Sequence, residues 1–317
     1  MKLRPILFSL LLAFVSFVSC TNKSVKNEKT IDTPESGEIS ISVDASFKPL
    51  IEEELNTFHL TYPDARIHTH YQPEQDVISD FTGKKVPLVI IPREMSADEQ
   101  SIFQQAQIPF QQIKIGTDAL AFVVNKSNQD SLFLYSQIVD ILTGKISRWN
   151  EISSNASADS ILIVFDNRRS STIRYLENDV MNGGKLSSRA YAVDSESMVI
   201  NYVEQNPRAI GVIDVSRISE TDDDSSQLFL QRIRVASVSQ KDSLNHPEFF
   251  LPTRYNMLYG KYPFLRNLYI LLSEGHMGLG TGFANYVMSE QGQLIIHHFG
   301  LVAAKQPLRV IELKNQF

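Results

Sequence analysis

From residue 39 onward the chain alternates between two hydrophobic patterns. Residues 39–43 (ISISV) alternate with period two, as a half-buried strand does, and residues 47–58 (FKPLIEEELNTF) space their apolar positions as a helix does. Further strands are predicted at residues 65–71, 87–91 (PLVII), 119–124 (ALAFVV), 161–165 (ILIVF), 209–213 (AIGVI) and 268–272 (LYILL). Helices are predicted between them at residues 74–81, 97–106, 134–143 (closed by Gly144), about 172–181, 198–205 and 282–288, the last continued by 293–298. Strands that alternate with helices predict an α/β protein built on mainly parallel sheet.

Ahead of this region the pattern is different. Lys2 and Arg4 precede a mostly apolar stretch, residues 6–18, and then Ser19 and Cys20, which reads as an export signal too short to span a bilayer stably. Phe17-Val18-Ser19-Cys20 resembles the lipobox of bacterial lipoproteins, which implies cleavage before Cys20 and a lipid on its sulfur. An ordinary signal peptide or an uncleaved anchor is the alternative. Residues 21–38 are polar and charged and are expected to form a flexible leash. The expected location is outside the cytoplasm, on the cell membrane or outer membrane, facing the periplasm or exterior.

Composition supports that placement. Cys20 is the single cysteine, so the chain has no internal disulfide to form. Losing Lys2 and Arg4 would shift the formal net charge from −6 to −8, which argues against nucleic acid as a partner. No later segment is long and apolar enough to cross a membrane.

Three strand–turn–helix junctions are candidates for ligand chemistry, because backbone N–H groups at a helix start favour an anion. In residues 161–176 (ILIVFDNRRSSTIRYL) an apolar strand meets Asp166, Arg168 and Arg169, then Ser170, Ser171 and Thr172. The hydroxyls and an arginine together suit a tetrahedral oxyanion, although one Ser simply capping the helix is the alternative. Ser46 and Phe47 follow the first strand in the same way, and Arg93 follows the third, at a strand end where open α/β sheets bind ligands. A cap at Ser46 and a surface ion pair at Arg93 are the simpler readings. No Gly-x-Ser-x-Gly or His-Glu-x-x-His motif supports a secreted hydrolase, and no enzyme activity is expected. Gly278-Leu-Gly280-Thr-Gly282 lacks the spacing of a dinucleotide loop, His68, His70, His297 and His298 lack a third spaced metal ligand, and Asp222 to Asp224 read as a solvated loop. Neither a metal nor a cofactor is expected.

Residues 116–152 carry Asp118, Val124, Asn125, Asp140, Ile141, Gly144, Lys145, Ile146 and Trp149 in the order D-x-(hydrophobic)-V-N, then D-I-(F/L)-x-G-K-I-x-x-W. This segment resembles the phosphate-type, PstS-like solute-binding proteins of ABC importers. The likeness continues in Tyr202-Val203, in residues 207–213, in residues 262–269 and in residues 282–292. It implies a type II periplasmic-binding-protein fold, a flytrap of two α/β lobes, each with a mixed, mainly parallel sheet, joined by two crossing segments. Lobe 1 is expected at residues 39–120 plus 256–317 and lobe 2 at 121–255, behind a signal peptide (1–19) and the lipidated linker (20–38). The implied partners are a small oxyanion, phosphate foremost, and an ABC permease; a monomer is expected. The implied ligand residues are Ser46, Phe47, Ser170, Ser171 and Thr172, joined by Arg93 and Arg169 on charge. Two positions depart from the pattern: Asp166 stands where the family has an arginine, and Arg93 where it has the aspartate that accepts a proton from the bound anion. A sensor or assembly protein of the same fold is therefore the second reading.

Overall fold

The structure, a computed structural model, describes residues 32–153, 157–219, 224–241 and 245–305. Strand β1 (Gly37–Asp44) passes through a 3-10 turn, Ala45–Phe47, into helix α1 (Lys48–Thr61); β2 (Ala65–Gln72), α2 (Glu74–Thr82), β3 (Leu88–Ile91) and α3 (Ala97–Gln105) follow. Ser96 opens α3 with a reciprocal cap, its hydroxyl accepting from Glu99 N while the Glu99 carboxylate accepts from Ser96 N. β4 (Gln111–Asn125) is the longest strand, and β5 (Leu132–Phe133), α4 (Tyr135–Thr143), β6 (Leu162–Phe165) and α5 (Ser171–Tyr175) come next. Gly144 ends α4 at φ 84°, a left-handed conformation that glycine adopts without a Cβ clash. The chain then forms β7 (Ala190–Ala192), α6 (Glu196–Gln205), β8 (Ala209–Asp214), α7 (Ser216–Ser219), α8 (Asp224–Arg232), β9 (Ile233–Val235), β10 (Ser237–Ser239) and β11 (Phe249–Phe250). It closes with α9 (Arg254–Leu258), β12 (Leu265–Leu272), α10 (Leu279–Val287), α11 (Glu290–His298) and β13 (Val302–Ala303).

The main sheet runs β2-β1-β3-β12-β4-β8-β6-β7, with β9 and β13 also pairing β4. β2, β1 and β3 are parallel, as are β8, β6 and β7, while β12 and β4 run antiparallel to their neighbours. β4 joins the two halves: Gln111–Ala119 pair with β12, and Leu120–Val124 pair with β8. A second crossing lies beside it, where Leu120 N donates to Phe264 O (3.0 Å) and the Tyr262 hydroxyl donates to Leu120 O (2.7 Å).

Apolar packing divides at the same place. Ile41, Phe47, Phe58, Leu88, Ile115, Leu268 and Phe283 share one core, with a smaller cluster around Phe81 and Phe103 beneath β3 and β12. Phe122, Trp149, Val164, Val199 and Val212 belong to another, which also takes in Met257, Tyr262 and Phe264. Those three residues precede β12 and fall on the first-lobe side of the sequence boundary at 256; their packing puts them with the second core. Gly211 allows α6 to lie close on β8, since a Cβ there would stand 2.8 Å from Val199 and Val203 side chains.

Several other expectations are corrected. The polar composition predicts a leash to residue 38, but Asp32 accepts from Leu279 N (2.6 Å) and Gly37 N donates to Asp64 O, so residues 32–38 are tied into the fold. β4 begins eight residues before the apolar run that signals it, because polar Gln111, Gln112 and Lys114 still find ladder partners on β12. α5 continues as a π turn, Leu176–Val180, rather than α-helix. α10 and α11 are separate helices, since Ser289 caps the second by accepting from Gly292 N. Asp224 begins α8 instead of lying in a loop; Asp222 and Asp223 lie outside the described residues, as does Cys20.

Candidate functional site

Strand register builds the centre of the site. On one edge of β4, Arg266 of β12 lies directly opposite Asp118; on the other edge, Asp214 of β8 lies opposite Leu120, two residues along. Residues two apart on a strand share a face, so all three charged side chains project from the same side of the sheet. Their side chains are 0%, 0% and 1% exposed in the order Arg266, Asp118, Asp214. The Arg266 guanidinium donates through Nε and Nη2 to Asp118 Oδ2 (3.2 and 2.5 Å) and through Nη2 to Asp214 Oδ1 (2.5 Å). Its Nη1 makes only long contacts, to Ser171 Oγ (3.4 Å) and Thr172 Oγ1 (3.5 Å). The Phe47 ring covers the guanidinium with its centroid 5.6 Å from Cζ.

Around this one cation the chain buries an excess of acid. Asp44 ends β1, and its Oδ1 accepts from Ser46 N (3.0 Å). Burial, reinforced by the nearby Glu74 charge, pushes its carboxyl up to about 6, while Ser171, Ser46 and Arg266 pull the other way. Burial also raises Asp118, Asp166 and, well above the ordinary range, Asp214, each against the attraction of Arg266. Glu196 of α6 accepts from Asp214 N (2.6 Å) and is pushed by burial up to about 8, with Arg217 opposing. Burial disfavours the Arg266 charge, but Asp214 and Asp118 more than offset it and hold the guanidinium protonated. Asp118 Oδ1 and Asp214 Oδ2 are buried with no hydrogen-bond partner. The arrangement offers two hydroxyls and one guanidinium edge to an oxyanion, beside carboxyl groups able to hold a proton.

Of the residues singled out from sequence, Ser46, Phe47, Ser171 and Thr172 converge here, and all are buried. Ser170 is adjacent and buried, but its hydroxyl donates to Asn167 O (2.8 Å) as a turn closure. The two predicted arginines are elsewhere. Arg93 points into its own half, donating to Glu74 (2.6 Å), to both oxygens of Glu99 (2.7 and 2.8 Å) and to Glu94 O. Arg169 is more than half exposed and pairs with Asp76 (3.0 Å) across the cleft. A nearby rim contact is Arg174 of α5, which donates to the other oxygen of Glu74 (2.8 Å). Trp149 packs in the second core, its Nε1 donating to Arg208 O. The N-terminus of α10 is occupied by acids of the same chain: Asp32 accepts from Leu279 N, and Glu274 from Gly280 N and Thr281 N, which leaves those amides committed.

Sequence reasoning missed Arg266, Asp118 and Asp214 as site residues. The signal was present: each is a charge at or within an apolar run of its strand, and such a charge needs a partner.

This architecture, two α/β halves joined at crossing strands with polar groups gathered between them, is that of periplasmic binding proteins. The model of the PBP superfamily domain family matches residues 28–291, and the chain belongs to that family. Among curated relatives, the phosphate-binding protein PstS of Staphylococcus epidermidis is 21% identical over 249 residues, covering 77% of this chain and 72% of its own. That of Staphylococcus aureus strain USA300 is 21% identical over 275 residues, covering 85% and 79%. Among solved structures, a Clostridium perfringens protein holding bound phosphate superposes with a TM-score of 0.68 at 24% identity, over 85% of this chain and all of that one. An ABC-type phosphate transport receptor from Vibrio cholerae gives 0.66 at 19% identity, over 84% and 100%. The names of these relatives describe binding proteins, not enzymes.

Proposed function

We propose that the chain is an exported, lipid-anchored substrate-binding protein that closes two lobes on a small oxyanion, phosphate foremost, and presents it to an ABC permease. One observation carries the reading: Ser171 and Thr172 of the second half meet the Arg266 guanidinium, which Phe47 of the first half covers, in a buried polar contact between the halves. Asp44, held near pH 6, is placed to give or take a proton from such an anion, the role the family pattern assigns to the residue that is Arg93 here. Lys2, the apolar run and Cys20 support the lipid anchor, and the names of the relatives support phosphate and the permease.

Alanine at Ser171 and Thr172 together is expected to leave the protein folded and weaken phosphate binding at least a hundredfold by calorimetry; unchanged affinity removes the site assignment. A second reading has its own observation, since Arg266 already carries two carboxylates. A tethered sensor or assembly protein of the same fold would gain no stability from any oxyanion, whereas a true ligand at about 100 times its Kd adds about 2.7 kcal/mol.

A further inference from the structure

Arg266 has five N–H donors in a fixed fork. Nε and Nη2 are taken by Asp118 and Asp214, which leaves Nη1, in long contact with the Ser171 and Thr172 hydroxyls, as the edge that an incoming anion can use. An oxyanion there becomes the third anion on one buried cation. Around the centre each further cation is already committed to an acid: Glu74 of α2 is paired with Arg93 and Arg174, and Glu196 of α6 with Arg217, while Asp44 of β1 and Asp166 of the turn after β6 add acid. Tyr175 and Tyr262, also buried beside the centre, carry no positive charge. Arg266 lies opposite Asp118 on β4, and its Nε and Nη2 are held by Asp118 and Asp214 at full burial, so a ligand meets the cation with its carboxylates already in place.

We infer that Asp118 and Asp214 are specificity-determining residues that compete with the ligand for Arg266, so that each oxyanion bound is accompanied by a proton taken up on this carboxylate pair. The partnerless oxygens, Asp118 Oδ1 and Asp214 Oδ2, are where that proton goes. Protonation cancels one negative charge and leaves the other carboxylate and the oxyanion sharing the guanidinium. The same groups are already biased toward protonation by burial. The inference rests on the oxyanion reading above and adds a prediction that reading does not make: affinity falls as pH rises even for an anion that does not itself titrate.

The test is isothermal calorimetry with sulfate and with inorganic phosphate from pH 6 to 9, in paired buffers of different ionisation enthalpy. The wild type is expected to take up about one proton per anion at pH 8, with sulfate affinity dropping about tenfold per pH unit in the alkaline range. Asp214→Asn, with Asp118→Asn as the independent second variant, is expected to abolish the uptake, flatten the profile and tighten binding at pH 8. For phosphate, the ligand's own titration is common to wild type and variant and cancels in the comparison. Binding that is pH-independent, without proton exchange, overturns the inference and leaves the oxyanion reading standing. Binding by the variants but not by the wild type supports it in its strongest form. Absence of binding in every protein overturns the oxyanion reading and the inference with it.

Discussion

Replacing Arg266 with Met isolates the energetic role of the central cation. Methionine keeps much of the apolar stem and removes the charge, which leaves Asp118 and Asp214 in a site where neither side chain is more than 1% exposed. Removing one partner of a buried ion pair costs about 3–5 kcal/mol, because the remaining charge is uncompensated. Protonation sets a ceiling on that cost: neutralising a carboxylate with an ordinary pKa near 3.9 at pH 7 takes about 4 kcal/mol. The loss is therefore about 4 kcal/mol if one of the two carboxylates must be neutralised and has a ceiling of about 8 kcal/mol if both must, a large share of the ~5–15 kcal/mol typical of a folded domain. The sign with pH follows from the variant's carboxyls being raised above their unfolded values. Their protonated form is fully supported below about pH 4, and the penalty grows by about 1.4 kcal/mol per pH unit per carboxylate as pH rises. Urea unfolding at pH 5 and pH 8 reads this directly. Arg266→Met is expected to be much more destabilising at pH 8, and the triple change Arg266→Met, Asp118→Asn, Asp214→Asn is expected to recover most of the loss, since a neutral cluster has no uncompensated charge. A loss of under about 1 kcal/mol at pH 8, or no recovery in the triple variant, refutes the assignment of a buried ion triad.

Two further predictions concern charges that the site does not use directly. Glu54 in α1 is fully buried, neither carboxyl oxygen has a partner, and burial, with Glu53 adding repulsion, pushes it up to about 9. Its native form is therefore protonated, and stability is lost as pH rises from the unfolded value near 4.5 toward 9; between pH 5 and 8 the loss is about 4 kcal/mol, which Glu54→Gln removes, so equal pH profiles of Tm for the two proteins would contradict it. At the rim, Glu74 is 2% exposed and divides its oxygens between Arg93 of the first half and Arg174 of the second, whereas the Asp76–Arg169 pair is about half exposed. Glu74→Gln is expected to accelerate release of added phosphate at least tenfold in stopped-flow measurements and Asp76→Asn less than about fivefold, since exposed pairs contribute about 0–1 kcal/mol; equal effects would remove the assignment of Glu74 as the main charged link between the halves.

The fold was readable because its elements satisfy local rules. Gly144, the Ser96–Glu99 cap and the apolar runs at β3, β6 and β8 fix element type without reference to distant residues. The short strands β5, β7, β9, β10, β11 and β13 were not readable, since two or three residues carry no periodicity. Half of the site was legible for a local reason as well: Ser46, Phe47, Ser171 and Thr172 sit at strand–helix junctions whose position in an α/β sheet is known in advance. The arginines were not. Arg93 and Arg169 stand at turns that point toward the cleft, but each has acids within reach, Glu74 and Glu99 for one and Asp76 for the other, and a long side chain follows its nearest partner.

Arg266 illustrates the opposite case, in which position depends on a pairing 148 residues away in sequence. A charge in an apolar strand signals that a partner is needed, but which acids it meets is set by the β4–β12 register, and a slip of one residue would turn it to the other face. Moving the cation from a turn into a strand changes the chemistry available to the cleft. A turn arginine can exchange partners as the halves close, but a strand arginine is delivered with its carboxylates already attached by the same register. An anion binding here therefore meets a neutralised or over-neutralised charge, and its affinity depends on how readily Asp118 and Asp214 accept protons.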